Sequence, residues 1–198
     1  MVEWYNRRMN AQLEAMFSAR GRQIVFPKQG IVSQTRDAQG KKINATVGTA
    51  TYEGQPLFLP ALQHFLQVLP KDSLTYASSF GKKELREFWQ KKIYRQNPSL
   101  AIAPISLPVV TDGLTHGLNI AGFLFADPGD ILVTSDLHWE NYDLIFRDCY
   151  GMSVETFPLF EGEKFHGQGM KDTLKKYSRP SRPLLLLLNF PHNPTGYA

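Results

Sequence analysis

From about Ala101 onward, short apolar runs alternate with stretches of helical period, and this rhythm constrains the fold more than any other feature. Ile105 to Thr111 reads as a strand and Thr115 to Ala126 as a helix. Ile131 to Thr134 is the next strand, followed by a helix from Glu140 to Tyr150 with Gly151 as its C-cap. Ser153 to Phe157 then reads as strand, Gln168 to Tyr177 as helix and Pro183 to Phe190 as strand. Parallel neighbours need a crossover, so strands separated by helices predict an α/β domain with a mostly parallel sheet. Within the last run, Leu184 to Leu188 has the pattern of a central strand buried on both faces. Asp127-Pro128-Gly129-Asp130 is a turn, because Pro presets φ and Gly accepts a positive φ.

The preceding part is less regular. Glu3 to Ala19 reads as a helix with Trp4, Met9, Leu13, Met16 and Phe17 on a loose stripe, broken by Gly21. Residues 22–60 carry many breakers and are expected to be irregular. Pro60 starts a short helix that Pro70 stops. Lys82 to Gln96 forms a longer one, with Leu85, Phe88, Trp89 and Ile93 on one face. Lys82, Lys83, Lys91 and Lys92 then fall mainly on the solvated side, as a charged helix face rather than an anion site.

Composition narrows the function classes. The 198 residues suffice for one domain or two small ones, and 42% hydrophobic content supports a core. A net charge of +4 is too diffuse to indicate nucleic-acid binding. The longest apolar run is far too short for a bilayer, and Met1 to Arg8 lacks the apolar stretch of a secretory signal, so a cytoplasmic location is expected. Cys149 is the single cysteine, which excludes an intrachain disulfide and a cysteine zinc cluster. No His or carboxylate stands at ligand spacing beside His138, so no metal site is expected, and His138 itself reads as a surface polar residue.

In open α/β sheets, ligands bind beyond the carboxyl ends of the strands. Thr111-Asp112-Gly113-Leu114-Thr115 follows the first strand. A glycine there lets backbone N–H groups approach an anion at the helix N-terminus, although an ordinary βα turn capped by Asp112 or Thr115 has the same look. After the second strand, Trp139 is placed either to lay its indole on a flat ligand or to pack in the core. After the last strand comes His192-Asn193-Pro194-Thr195-Gly196, a turn displaying the Asn193 amide.

These three strand-end features, in this order, resemble the class I/II aminotransferases, pyridoxal-phosphate enzymes of fold type I of the aspartate/aromatic aminotransferase kind. The likeness extends to Ile43-Asn44-Ala45-Thr46-Val47-Gly48, Gln55-Pro56-Leu57 and Leu59-Pro60, which are similar to that family's N-terminal substrate loop. It also covers Leu74-Thr75-Tyr76 with Gly81 and Leu85-Arg86, and the turn from Asp127 to Asp130. It runs from about residue 43 to residue 198. Two departures are local: Asp112 stands where a small hydroxyl or amide residue is usual, and Leu137-His138 replaces a frequent proline-containing version.

The resemblance implies a role for each matching residue. Gly113, Leu114 and Thr115 would hold the phosphate of pyridoxal 5'-phosphate, Trp139 would stack on its ring, and Asn193 would donate to its phenolic oxygen. Gly48 would approach the substrate carboxylate through its backbone. Tyr76 would reach the phosphate of the partner subunit's cofactor, since a homodimer is implied. The implied substrates are an amino acid and a 2-oxo acid, with neither nucleic acid nor membrane as partner. Tyr52 and Phe26 are candidates for a side-chain pocket or for packing of the arm.

The resemblance further implies a three-layer α/β/α domain whose seven strands follow the order 1-7-6-4-5-2-3. This sequence supplies four of them, so the sheet is expected to be interrupted between its first and fourth and between its fourth and second strands. The expected division is 1–60, a helical arm and substrate loop, and 61–198, a partial cofactor-binding large domain. None of the lysines sits in the context of the family's Schiff-base lysine, so no catalytic residue is nominated and the chain alone is expected to be the inactive N-terminal half of an aminotransferase. Two alternatives are a lyase or decarboxylase of the same fold, and a non-catalytic truncated product that binds a partner.

Overall fold

The computed structural model describes residues 15–23, 31–44, 46, 48–100, 103–180, 182 and 184–198. The chain forms two units, Gln29–Gly113 and Met1–Lys28 with Leu114–Ala198. The helix expected over Glu3 to Ala19 lies mostly outside the described residues. Beyond it, Gly21 does not break a helix but sits inside α1 (Ala19–Gln23). Ser18 starts that helix, its Oγ accepting the Gly21 N–H at 3.0 Å as an N-cap side chain does.

In the unit Gln29–Gly113, the stretch expected to be irregular contains α2 (Ile31–Asp37) and a hairpin of β1 (Thr51–Tyr52) and β2 (Gln55–Pro56). Glu53 and Gly54 both take positive φ, 49° and 74°, the two-residue turn whose twist suits a hairpin. A 3₁₀ helix follows at Pro60–Phe65. Pro70 does not merely end it: proline fits a first helical turn, and α3 (Pro70–Ser73) begins there.

Helix α4 (Lys83–Gln96) has the expected extent and Lys82 as its N-cap, but the opposite face is the packed one. Leu85, Phe88 and Trp89 are 42%, 63% and 44% exposed, and Lys92 lies 4.4 Å above the Trp89 ring. Arg86, Gln90 and Tyr94, one turn apart, instead point at the segment expected to be the first strand. Arg86 donates to the Pro108 and Leu107 carbonyls, and Gln90 to that of Ile105. The Tyr94 hydroxyl donates to the Ala103 carbonyl and accepts the Ile105 N–H. Side chains thus satisfy backbone groups that a ladder would otherwise need, and Pro104 and Pro108 have no N–H to offer one. Residues 105–111 therefore form no strand. Gly81, at φ 95°, lets Val110 pass where a Cβ would collide with it, and the Val110 N–H donates to the Phe80 carbonyl at 3.0 Å.

The second unit holds all the buried residues among those described. Helix α5 (Leu114–Phe125) leads through the Asp127–Asp130 turn into β3 (Ile131–Ser135). In that turn Gly129 has φ 82° and the Asp130 N–H returns to the Asp127 carbonyl at 3.0 Å. A π-helix, Asp143–Cys149, occupies the place of the expected helix, and Gly151 follows it at φ 69°. Then come β4 (Ser153–Phe157), a hairpin of β5 (Phe160–Glu161) and β6 (Lys164–Phe165), α6 (Gly167–Tyr177) and β7 (Leu184–Leu186).

The sheet is parallel with order β4-β3-β7. Leu132, Val154 and Leu185 are cross-strand partners and join one cluster with Tyr142, Ile145, Phe146, Met152 and Leu118. Strand alternation turns Val133 the other way, and α6 packs on β3 and β4. Two expectations are corrected here. No gap separates the last strand from the second: β7 pairs directly with β3, so the backbone groups of each meet the other's. The last strand is also short and at the sheet's edge, with Leu186 41% and Leu188 46% exposed, rather than central and covered on both faces.

Candidate functional site

Because α5 returns through a four-residue turn to the start of β3, its N-terminus lies toward the carboxyl end of the sheet, as do the residues following β3 and β7. The end of β3 is held by hydrogen bonds that assign its protonation states. The buried Ser135 donates its hydroxyl proton to the Leu137 carbonyl at 3.1 Å, so its oxygen must accept from His192 Nε2 at 3.0 Å. His192 therefore carries its proton on Nε2, and Nδ1 accepts from the Thr195 hydroxyl at 2.9 Å. This polarity is the reverse of a histidine that takes a proton from serine. Burial pushes the His192 imidazole below its ordinary pKa, in keeping with a neutral ring. Through this network the turn that displays Asn193 is fastened to β3.

An aromatic row supports the same turn from the β5–β6 hairpin. Phe157, Phe165 and Phe190 meet edge to face at 6.0 and 5.6 Å, and Tyr197 packs on Phe160 at 5.2 Å. The Tyr197 carbonyl accepts the His192 N–H at 2.7 Å. Asn193 itself is exposed, its amide displayed beyond the strand end. A small, shallow recess, partly open to solvent, is bounded by Ser135, Tyr142, Asn189 and His192.

His138 is not the surface residue expected. It is half-buried, with Nδ1 2.8 Å from the Ser135 carbonyl and Nε2 3.0 Å from Asp143 Oδ2. Its hydrogen bond to Asp143 raises its pKa against the opposing effect of burial. The same bond, with the nearby positive charges of His138 and Arg147, holds the Asp143 carboxyl below the ordinary range. Trp139 is half-buried, meets Tyr142 edge to face at 5.7 Å and packs against the core cluster. Tyr142 is buried, its hydroxyl paired with Asn189. Ser135, Tyr142, Asn189 and the His138–Asp143 pair carried no short-range sequence signal; only the tertiary fold brings them together.

Of the other expected site residues, Leu114 and Thr115 open α5 and are exposed. Gly113 precedes them at φ 132°, a conformation glycine takes readily, with open space where a Cβ would stand. Leu114, Thr115, Trp139 and Asn193 share one unit; Gly48, Tyr76 and Gly113 belong to the other. Gly48 is exposed, and nearby Asn44 accepts the Thr46 N–H and hydroxyl at 3.1 and 2.7 Å. Tyr76 is fully exposed and Tyr52 is 68% exposed; Phe26 lies outside the described residues. Among the described residues there is no cluster of metal-ligating side chains, and no helix is long and apolar enough to cross a membrane.

A helix N-terminus, an aromatic ring and an amide-bearing turn thus stand at the carboxyl end of a parallel sheet, the end at which open α/β sheets bind ligands. The model of the aminotransferase class I and II family matches residues 40–198, and the chain belongs to that family. An aspartate aminotransferase of Sulfurisphaera tokodaii is 23% identical over 169 residues, covering 85% of this chain and 40% of the relative. An LL-diaminopimelate aminotransferase of Dehalococcoides mccartyi is 27% identical over 150 residues, covering 70% and 36%. The chain thus spans less than half the length of these relatives. Among solved structures, an aminotransferase from Anaerococcus prevotii superposes with a TM-score of 0.72 at 24% identity, covering 92% of this chain and 46% of that one. A kynurenine aminotransferase from Pyrococcus horikoshii gives 0.64 at 19% identity, covering 85% and 41%. The fold is accordingly part of a fold type I aminotransferase, a family that depends on pyridoxal 5'-phosphate.

The residues present fit that cofactor. Gly113 takes a backbone angle that keeps the approach to the following N–H groups open, and α5 is long enough, 12 residues, to carry a helix dipole. Trp139 supplies a ring held by Tyr142, and Asn193 an exposed amide.

Proposed function

We propose that this chain is the cofactor-binding part of an aminotransferase that moves an amino group between an amino acid and a 2-oxo acid. The observation that carries the reading is the family match over 40–198, a range that includes Gly113, Trp139 after β3 and the Asn193 turn after β7. When bound, pyridoxal 5'-phosphate supplies an electron sink for the substrate α-carbon. The protein's part is placement. The N–H groups of Gly113, Leu114 and Thr115, with the Thr115 hydroxyl, take the phosphate. Trp139 offers the face on which the ring lies, and Asn193 donates to the phenolic oxygen. Gly48 receives the substrate carboxylate, and Tyr76 reaches the partner subunit's phosphate in a homodimer. On this reading 1–60 is arm and substrate loop and 61–198 belongs to the large domain, in a cytoplasmic protein.

Binding is the direct test for this chain. Pyridoxal 5'-phosphate should quench Trp139 fluorescence in a saturable manner. Asn193→Ala and Thr115→Ala should each weaken binding about tenfold, the loss of one hydrogen bond to a charged group. Equal affinity in wild type, both variants and Trp139→Ala would refute the assignment.

A further inference from the structure

Neither acceptor around His138 can lend it a proton. The Ser135 carbonyl has none, and Asp143 is kept ionised because its other oxygen, Oδ1, takes Arg147 Nη1 at 2.9 Å. Contacts of 2.8 and 3.0 Å to two pure acceptors require an N–H on both ring nitrogens. The ring then lies parallel to Tyr142, at 6.1 Å and 10°, while the next residue, Trp139, meets the same tyrosine edge to face. His138 and Trp139 thus bracket one buried ring, and His138 is bonded both to the strand end before the loop and to the helix after it. We propose that His138 is a positioning residue whose doubly protonated imidazole clamps the β3-to-π-helix loop and so fixes the indole of Trp139.

The consequence for the cofactor rests on the reading of Trp139 given above; the clamp itself does not. A neutral imidazole has one N–H and can hold only one of the two acceptors, so deprotonation releases one end of the loop. The hydrogen bond to Asp143 raises the His138 pKa and so favours the clamped state. The charged and titratable groups around the ring are Asp143 and Arg147 on the π-helix, Tyr142 at its start, and His192 after β7; Asp136 on the same loop acts on His192. His192 also bonds Ser135, through the hydroxyl rather than the carbonyl. The two histidines therefore grip one residue from its side chain and its main chain, one ring neutral and the other charged.

The test uses the 198-residue chain carrying Trp4→Phe and Trp89→Phe, so that Trp139 is the only indole. Ring-nitrogen NMR shifts of His138, assigned with His138→Gln, are followed between pH 5 and 9 together with acrylamide quenching of Trp139. Both nitrogens should be protonated at pH 6, and quenching should rise at least twofold with the midpoint of the His138 titration. Asp143→Asn should lower both midpoints together, and Asp143→Glu should restore them in part. A single neutral tautomer at pH 6 overturns the proposal, as does quenching that stays flat while His138 titrates, and neither observation needs a substitution at Asp143. Coincident curves in a chain that fails to bind pyridoxal 5'-phosphate would uphold the clamp and refute only the proposed cofactor contacts.

Discussion

Ser135→Ala isolates the bond that fastens the Asn193 turn to the sheet. The wild-type hydroxyl gives its proton to the Leu137 carbonyl and accepts the Nε2 proton of the buried His192. Leu137 is 45% exposed, so its carbonyl can turn to water, and that half of the loss is about 0.5 kcal/mol. His192 is 5% exposed and cannot do the same. Moving the proton to Nδ1 would preserve a contact with Thr195 but leave a bare Nε2 lone pair in the same place. Either tautomer buries one unsatisfied group, costing about 1–3 kcal/mol. The expected total is about 1.5–3.5 kcal/mol, or about a 0.8–1.8 M fall in the urea midpoint at a slope of about 2 kcal/mol/M. His192→Phe supplies the control by removing the buried donor, so that Ser135→Ala no longer leaves an imidazole unsatisfied. In that background Ser135→Ala should cost only about 0.5 kcal/mol, a coupling typical of directly bonded residues. Equal costs in the two backgrounds would refute the assigned hydrogen-bond polarity.

Asp130 is 3% exposed and accepts both Arg182 Nε at 2.7 Å and the Asp127 N–H at 2.8 Å. Asp130→Ala should cost about 2–3 kcal/mol in urea denaturation, below the usual range for a buried pair because Arg182 stays half in water. Gly122 is buried, and a Cβ there would lie 2.6 Å from the Tyr150 ring. Gly122→Ala should lose about 1–3 kcal/mol, and Tyr150→Val should recover part of it, read from thermal midpoints. The pH dependence of stability has two arms of opposite sign. His192, depressed by burial, contributes stability above its unfolded value of about 6.5 that is lost as pH falls toward its folded value. His138, raised by Asp143, contributes stability below about 6.5 that is lost as pH rises through its folded value. Urea midpoints should therefore peak near pH 6.5, and His138→Gln should flatten the alkaline arm alone.

Elements that depend on local pattern were legible in the sequence. Ser153–Phe157 has the expected bounds, α4 and α6 differ by one residue at their starts, and the Asp127–Asp130 turn follows from Pro and Gly. Elements decided by distant partners were not. The run from Ile105 to Thr111 has strand composition, yet side chains of α4 satisfy its backbone. Five leucines suggested a central strand, but β7 pairs on one side only among the described residues. The Glu53-Gly54 hairpin lacked the usual Asn-Gly signal. At the site, Trp139 and Asn193 follow β3 and β7 as the local pattern indicates, whereas Gly113 follows a segment that forms no strand. His138 was misread because its partners come from a strand end and a following helix whose approach no spacing rule specifies.

The pairing of β3 with both β4 and β7 also implies an order of assembly. Ile131 meets Ser153 across one edge and Leu184 across the other, and the second closure spans more than twice as much chain. The extra loop-closure entropy is only about 0.8 kcal/mol, but it accompanies a ladder of three residue pairs rather than five. During synthesis β3 and β4 leave the ribosome together, while β7 emerges only after the hairpin and α6. The β3–β4 unit therefore forms first, with the far edge of β3 open until β7 arrives. In a refolding pulse-labelling experiment, amides of the β3–β4 ladder should gain protection before those of Leu185 and Leu187. The Asn193 turn, which hangs from β7 and from Ser135 at the end of β3, is then among the last parts of the sheet end to order.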